Sequence, residues 1–564
     1  MKEVKLEIES THNGDLVHRM GAVLLERRFL DKVQLAYIKQ KENIEKKPFW
    51  TLLVSSGLVR EVDITKVLSE LLETEYCDID KIDEPTLEVI ALFNRELCLT
   101  FNFLPIKRDG NKLIVLLGDS TPEVVSQIIL KRCGLRAHFL HAEFSKVTRL
   151  IRYSYYFSAN PPEKLISAEI DKLWKDTDHV HSPEQLLNNT IHMAFKERAT
   201  DIHITPNSNS LHVLFRIDGV LMPFFALPLS LNRLLGFVKL ASDMDISEQR
   251  RPQDGSFRAK VLETNLTIRV STIITEFGER MVMRLLPESH NVQSLSELGF
   301  FDEDVKLMAD MAGRPAGLIL ITGPTGSGKS STLHAALRMQ HLIERNVLTV
   351  EDPLEYRVPG AAQTEVNRRA GYDFQTALRH FLRHDPDVIL LGEMRDAETA
   401  LAALESSATG HLVLSTLHVT SVFGVVPRLR PMGLEPSVIA ENLLLIINQR
   451  LVRVNCSFCI EDVPYDAAEC EWLGVPSGTL GKRGKGCIRC RDTGFYGRYP
   501  IYEILEITEK LSNAIADDAG REKIRTLAFS SGFKSIGHTA KRRVLLGQTT
   551  SLEIYRTIGE GPAR

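Results

Sequence analysis

Along the chain the spacing of apolar positions changes several times, and each change predicts a different kind of element. The segment Arg19-Met-Gly-Ala-Val-Leu-Leu-Glu-Arg-Arg-Phe-Leu is echoed by Pro48-Phe-Trp-Thr-Leu-Leu-Val-Ser-Ser-Gly-Leu-Val. Each copy is followed by a spaced apolar pattern, Leu35 and Ile38 after the first, then Ile64, Val67 and Leu68 after the second. That spacing fits an amphipathic helix. Further on, Lys112-Leu-Ile-Val-Leu-Leu-Gly reads as a buried strand. Residues 1–153 are therefore expected to alternate helix and strand and to form a separate N-terminal domain. Residues 154–182 hold Ser-Ala-Asn-Pro-Pro and then alternating Lys and Asp, which reads as an interdomain linker. A second α/β unit is expected over 183–288, ending in the polar connection Pro287-Glu-Ser-His-Asn. Beyond it strands alternate with helices, the pattern of a mostly parallel sheet, and the tail past 500 reads as helical.

Length and charge narrow the picture. The 564 residues exceed one hydrophobic core, so three or four compact units are expected. Apolar residues at 43% and charged residues at 25% are ordinary for a globular chain. A net charge of −4 offers no general attraction to a phosphate backbone, so nucleic acid is not an expected partner. No apolar run approaches the ~20 residues of a membrane span, and the first residues lack a signal-peptide pattern. The expected location is the cytosol, with any membrane role exerted through a partner.

The candidate chemistry begins at Leu318–Thr322, a buried strand running into Gly323-Pro-Thr-Gly-Ser-Gly-Lys-Ser and then Ser331-Thr-Leu-His-Ala-Ala-Leu-Arg, good helix material. Strand, glycine loop and helix in that order identify a P-loop. Glycines there let backbone N–H groups turn inward around phosphate oxygens at a positive helix end. The ATP-binding set is Gly323, Pro324, Thr325, Gly326, Ser327, Gly328, Lys329, Ser330 and Ser331. Lys329 is expected to reach the β- and γ-phosphates and the Ser330 hydroxyl to coordinate Mg²⁺. A second strand, Val388-Ile-Leu-Leu, ends in Gly392-Glu393, with glycine where the usual metal-organising aspartate would stand. Thr349-Val-Glu-Asp-Pro-Leu-Glu supplies further carboxylates in Glu351, Asp352 and Glu355. Glu393 and one of these three, Glu355 first, are assigned to the attacking water and the Mg²⁺ shell. His411 and His418 flank the strand Leu412-Val-Leu-Ser-Thr-Leu. Each, judged alone, reads as a core histidine as readily as a functional one.

Four linked boxes now stand on the page: Gly323–Ser330, Thr349–Glu355, Ile389–Asp396 and Thr409–His418. In order and spacing they resemble the type II secretion and type IV pilus assembly ATPases, over about residues 180 to 560. The resemblance implies an α/β multidomain fold: a RecA-like P-loop core (289–450), a preceding arginine-supplying domain (183–288), a tetracysteine insert (451–500) and a helical C-terminal region (501–564). It implies that His411 and His418 belong to the site, His418 as γ-phosphate sensor. Thr200-Asp-Ile-His-Ile, Phe215-Arg-Ile-Asp-Gly-Val-Leu, Arg250-Arg-Pro-Gln-Asp-Gly and Gly278-Glu-Arg-Met-Val-Met-Arg-Leu-Leu look like the family's second domain. By that likeness Arg216, Arg269 and Arg280, with Arg284 behind them, are expected to present charge to the nucleotide. An arginine finger of this kind is worth ~10³–10⁵ in rate. The resemblance further implies a homo-hexamer, an inner-membrane platform protein as partner, and indirect contact with pilin or pseudopilin. The chain departs from the family's usual pattern at Val419-Thr-Ser, which follows His418, and at His384.

Cys456-x-x-Cys459 and Cys487-x-x-Cys490 can close a tetrahedral S₄ zinc site, with no residue placed to leave a coordination position open. The expected Zn²⁺ is structural, and the family's assembly members carry such an insert whereas its retraction members lack it. Cys77, Cys98, Cys133 and Cys470 read as ordinary residues. The two early repeats resemble a domain that binds cyclic di-GMP in some of these ATPases. Arg28 replaces a motif glycine in the first copy, and Pro48-Phe-Trp50 replaces the start of the second, so docking to the platform is the expected role, with cyclic di-GMP binding as the alternative. The sequence thus predicts a hexameric ATPase that powers pilus or pseudopilus assembly. A retraction motor, a nucleic-acid translocase and a non-hydrolysing regulatory subunit are the alternatives.

Overall fold

The structure is a computed structural model, and it describes residues 15–175, 183–229, 233–287, 293–340 and 344–562. The chain's first fourteen residues, 176–182 of the expected linker and most of the Pro287–Asn291 connection lie outside the described residues. The chain divides into two units, 1–287 and 288–564.

The first unit opens with helices at 15–26, Lys32–Glu45, Phe49–Ser55 and Glu61–Leu71. The sequence echo is thus two consecutive helix pairs, and among the described residues no strand precedes Glu75, contrary to the expected alternation. Met20, Leu24, Ile38, Phe49, Leu52, Leu53, Ile64 and Val67 form one buried cluster, because neither pair covers its apolar face alone. Arg28 and Gly57 occupy equivalent turns and share the left-handed backbone, with φ of 59° and 69°. The turn therefore survives the loss of its glycine, at a steric cost of ~1–2 kcal/mol. A four-stranded sheet follows in the order Glu75–Tyr76, Arg136–His141, Lys112–Leu117, Phe103–Asp109. Glu61, at the start of helix Glu61–Leu71, accepts from the Ser145 backbone N–H at 2.6 Å and hydroxyl at 2.7 Å, tying that helix to Phe144–Ala159, which follows the sheet.

The described part of the expected linker is helical, not extended. Helix Phe144–Ala159 crosses its start, and Pro162–Lys175 fills most of the remainder. Pro162 opens that helix where a missing N–H costs nothing. Ile166 and Ile170, one turn apart, pack into the core of the following domain with Leu186, Leu187 and Ile191. That domain is a six-stranded antiparallel sheet, ordered Val220–Pro228, Ser210–Ile217, Asp201–Pro206, Gly278–Pro287, Thr264–Thr275, Gln253–Val261.

The second unit is built on a seven-stranded sheet in the order Ala362–Glu365, Val347–Glu351, Val388–Leu391, Leu412–Leu417, Gly317–Thr322, Leu443–Asn455, Phe495–Glu506. Six strands are parallel, and the last pairs antiparallel with Leu443–Asn455. Strands 317–322, 388–391 and 412–417 are buried at every position, as a parallel sheet covered on both faces requires. The start of the expected helical tail is corrected by this arrangement. Residues 501–506 complete the edge strand, so the cysteine insert is a loop between two paired strands. Helices Glu509–Ala516, Arg521–Ser530, Ile536–Leu545 and Ser551–Ile558 follow. Among the described residues no helix is long and apolar enough to cross a membrane.

Candidate functional site

In a parallel sheet the loops after the carboxyl ends of neighbouring strands converge. Here those loops carry Gly323–Gly328 after strand 317–322, Glu351–Glu355 after 347–351, Gly392–Glu393 after 388–391, and His418 after 412–417. Gly323 has a φ of 144°, and a Cβ there would stand 2.6 Å from the Gln449 carbonyl oxygen. Only glycine lets the loop turn so close to strand 443–455. Gln449 also donates from Nε2 to the Ser327 carbonyl at 2.8 Å, fastening the loop to that strand. Helix Lys329–Leu337 starts from Gly328. Lys329 Nζ donates to the carbonyls of Gly323 and Pro324, both at 3.0 Å, so the ammonium lies across the loop. Burial lowers its pKa, while Glu393 and then Glu355 oppose that shift.

Glu393 stands between a guanidinium and an imidazole. One carboxylate oxygen pairs with the Arg395 guanidinium, and the other lies 3.5 Å from His418 Nε2. Burial first, then the charge of Lys329, holds His418 below the usual imidazole range, so it is neutral at pH 7. Asp396, close behind, is a helix cap that accepts from the Thr399 N–H at 2.8 Å.

The structure separates the three remaining acids. Glu351 is buried: it accepts from the Thr349 hydroxyl at 3.0 Å and Gln363 Nε2 at 3.3 Å, and lies 2.9 Å from His334 Nε2. It is committed inside the protein and is not free to take water or metal. Asp352 lies 3.4 Å from Arg368. Glu355 is exposed, within electrostatic reach of Lys329. His411 is not brought to the loop. It lies at the amino end of strand 412–417, where its Nδ1 donates to the Ser406 carbonyl at 2.8 Å. Seven residues of extended chain, about 23 Å, separate it from His418.

The arginine candidates lie in the first unit, on the six-stranded sheet. Asp201 pairs in register with Arg216 and Arg284, and Arg284 with Arg269, placing them in one row across three strand junctions. Buried Asp201 accepts from Arg284 Nε at 2.9 Å and lies 3.8 Å from Arg216 Nε. Arg280 lies 3.5 Å from His203 Nδ1, and Arg269 is exposed.

His334, Arg395 and Gln449 were not singled out from the sequence. His334 falls one turn after Ser330, bonded through Nδ1 to the Ser330 carbonyl at 2.8 Å. A polar residue between Leu333 and Ala335, in the buried half of helix Lys329–Leu337, is the available signal. Burial lowers its pKa, but the Glu351 hydrogen bond and charge outweigh this and leave it raised.

The four cysteines converge. Cys456 and Cys487 sulfurs lie 3.9 Å apart, Cys459 and Cys490 3.8 Å, and all four within 4.8 Å of one another. Sulfurs held ~2.3 Å from a tetrahedral zinc are about 3.8 Å apart, so the quartet fits the ion. Gly486 N–H donates to Cys459 sulfur at 3.3 Å and Cys487 N–H to Cys490 sulfur at 3.1 Å, donors that favour thiolates. Arg489 stacks on Phe458, 3.8 Å from the ring centre, and closes one side of the cluster.

The profile of the family described as Type II/IV secretion system protein matches residues 176–556, and that of the MshEN domain matches 72–160. The helical repeats therefore precede the MshEN match. The chain is 36% identical over 525 residues to the type IV pilus assembly ATPase PilB of Thermus thermophilus, covering 90% of this chain and 58% of that protein. It is 33% identical over 561 residues to PilB of Myxococcus xanthus, covering 95% and 98%. It is 42% identical over 380 residues to the type II secretion system protein E of Pseudomonas aeruginosa, covering 67% and 75%. In fold it is similar to the Legionella pneumophila ATPase DotB, with a TM-score of 0.50 and 21% identity over 67% of this chain and 96% of that one.

Proposed function

The chain belongs to the Type II/IV secretion system protein family, and from that membership we propose that it is an ATP-hydrolysing motor for assembly of a type IV pilus or a secretion pseudopilus. The observation that carries the reading is the convergence of Lys329, Glu393 and His418 at one edge of the parallel sheet. Lys329 exchanges its loop carbonyls for β- and γ-phosphate oxygens, and the backbone N–H groups of 325–330 surround the phosphates. Glu393 orients the attacking water and accepts its proton, with Arg395 holding the carboxylate in place. Glu355 is the second acid, chosen because Glu351 is already fully engaged. Neutral His418 senses the γ-phosphate through one ring N–H. Ser330 is the residue that would hold Mg²⁺, which would supply charge neutralisation for the phosphates.

Charge that develops on the γ-phosphoryl oxygens calls for a cation outside the loop. We assign it to three arginines of the six-stranded sheet, Arg216 and Arg269 in the row and Arg280 beside His203, supplied within a homo-hexamer. The tetracysteine insert would hold a structural Zn²⁺ and favours assembly over retraction. The motor acts on an inner-membrane platform protein, which places it at the cytoplasmic face of that membrane. The N-terminal domain, residues 1–153, docks there.

A Lys329→Ala allele in the native host, scored in parallel for surface pili and for secreted enzymes, tests the reading. Loss of one with the other intact assigns the filament. Unchanged levels of both, with no ATP turnover by the purified protein, would refute the motor. Zinc analysis of the purified chain should find one ion per chain, lost in Cys487→Ser.

A further inference from the structure

Glu503 is a buried carboxylate that the hydrolytic chemistry leaves unused. It lies on strand Phe495–Glu506 directly opposite Asn448. Its Oε1 accepts from the Val422 backbone N–H at 3.0 Å and from Asn448 Nδ2 at 3.4 Å. Its Oε2 accepts from the Ile536 backbone N–H at 3.3 Å. Val422 opens the 3₁₀ turn Val422–Gly424, shortly after His418. Ile536 is the first residue of helix Ile536–Leu545, whose N-cap Ser535 makes no side-chain capping bond. The carboxylate stands in for that cap, at the helix end where an anion is favoured.

Three consecutive side chains of strand Leu443–Asn455 tie this node to the nucleotide edge. Asn448 reaches Glu503, Gln449 reaches the Ser327 carbonyl, and Arg450 donates to Asn448 Oδ1 at 2.8 Å and to the Thr420 carbonyl at 3.2 Å. The loop that follows His418 is thus bonded at Thr420 and again at Val422. One carboxylate serves both that loop and the C-terminal helix. A buried N–H stripped of its acceptor is costly, so neither partner can shift without Glu503 following or leaving a donor orphaned.

We propose that Glu503 is a positioning residue that couples the His418 loop to helix Ile536–Leu545, so that nucleotide occupancy at the P-loop is transmitted to the C-terminal helical region. The inference rests on nucleotide binding at Gly323–Ser331. Glu503→Gln replaces one acceptor by a donor, so one of the two N–H groups must lose its partner.

The test is amide hydrogen exchange on the full-length chain, with and without AMP-PNP and Mg²⁺. In the wild type, protection should rise at 323–331 and change together at 420–424 and 536–540. In Glu503→Gln the first two responses persist and the response at 536–540 is lost. Turnover in that variant should fall about tenfold with KM for ATP unchanged, the loss expected from one orphaned hydrogen bond acting away from the binding loop. An equal response at 536–540 in Glu503→Gln overturns the proposal. So does a wild type protected at the P-loop but silent at 536–540. Absence of protection at 323–331 removes the nucleotide reading and this inference with it. If Glu503→Gln folds poorly, adding Ser535→Asp gives the helix its own cap. The double variant should regain stability and still lack the response at 536–540, and a restored response would overturn the coupling.

Discussion

The nucleotide edge of the second unit and the arginine row of the first both gather cations, and they do so by opposite means. At the edge, Lys329 is half-buried and satisfied by the loop's own carbonyls, which under the proposed function it would exchange for phosphate. In the row, Arg216 and Arg284 lie on an exposed sheet face and are oriented by one buried carboxylate, Asp201. The difference follows from the sheets. A parallel sheet delivers loops to one edge and can wrap a ligand with backbone, whereas an antiparallel sheet presents side chains in register across a face. The first arrangement suits tight binding. The second suits charge that must meet a ligand only in the transition state.

The comparison is sharpest under an arginine scan. Single Arg216→Ala, Arg269→Ala and Arg280→Ala variants should leave nucleotide affinity intact, while the one that meets the γ-phosphate loses about 10³-fold in kcat. Equal small losses at all three would break the contrast, and steady-state kinetics with a fluorescent-nucleotide titration decides. Glu393→Gln should cost about 10²–10³-fold in kcat with little change in KM, the signature of a base used in the chemical step. Glu351→Gln should instead lower the melting temperature, because it strips a buried acid from His334. Asp201→Asn should give about a tenfold loss that Asp201→Glu partly restores, if aiming the arginines is its role.

The smallest effect belongs to pH. His418 has a depressed folded pKa, so the unfolded chain binds its proton first as pH falls through about 6.5. The stability it contributes is complete above that pH and declines below it, and turnover should fall a few-fold on the same acid side. His418→Gln should flatten that limb of the kcat profile. His334 runs the other way: its raised pKa makes its contribution full below about 6.5 and lost as pH climbs through the folded value.

Much of this protein was legible without coordinates because some chemistry is local in sequence. The expected strand and helix around Gly323–Gly328 lie within two dozen residues, and the structure has strand Gly317–Thr322 and helix Lys329–Leu337 in that order. The cysteine quartet declares itself by spacing, and its sulfur distances agree with that reading. Period changes located the buried strands around 318, 388 and 412. They misjudged residues 15–72, where one-turn and two-residue spacings overlap in short apolar runs, and the charged stretch 162–175, where Ile166 and Ile170 find a core that the sequence does not reveal.

What only the tertiary structure decided is which of several similar residues faces what. Glu351 and Glu355 sit four apart in one box, yet one is enclosed by His334, Thr349 and Gln363 while the other stays exposed. His411 and His418 bracket one strand, and strand direction alone sends His411 to the wrong end. Gln449 and Glu503 gained their roles from strand pairing across distant segments. Residue type and local spacing determine which groups a chain carries. Burial and the partner of each hydrogen bond are properties of contacts between segments far apart in sequence, and these appear only when the sheets close.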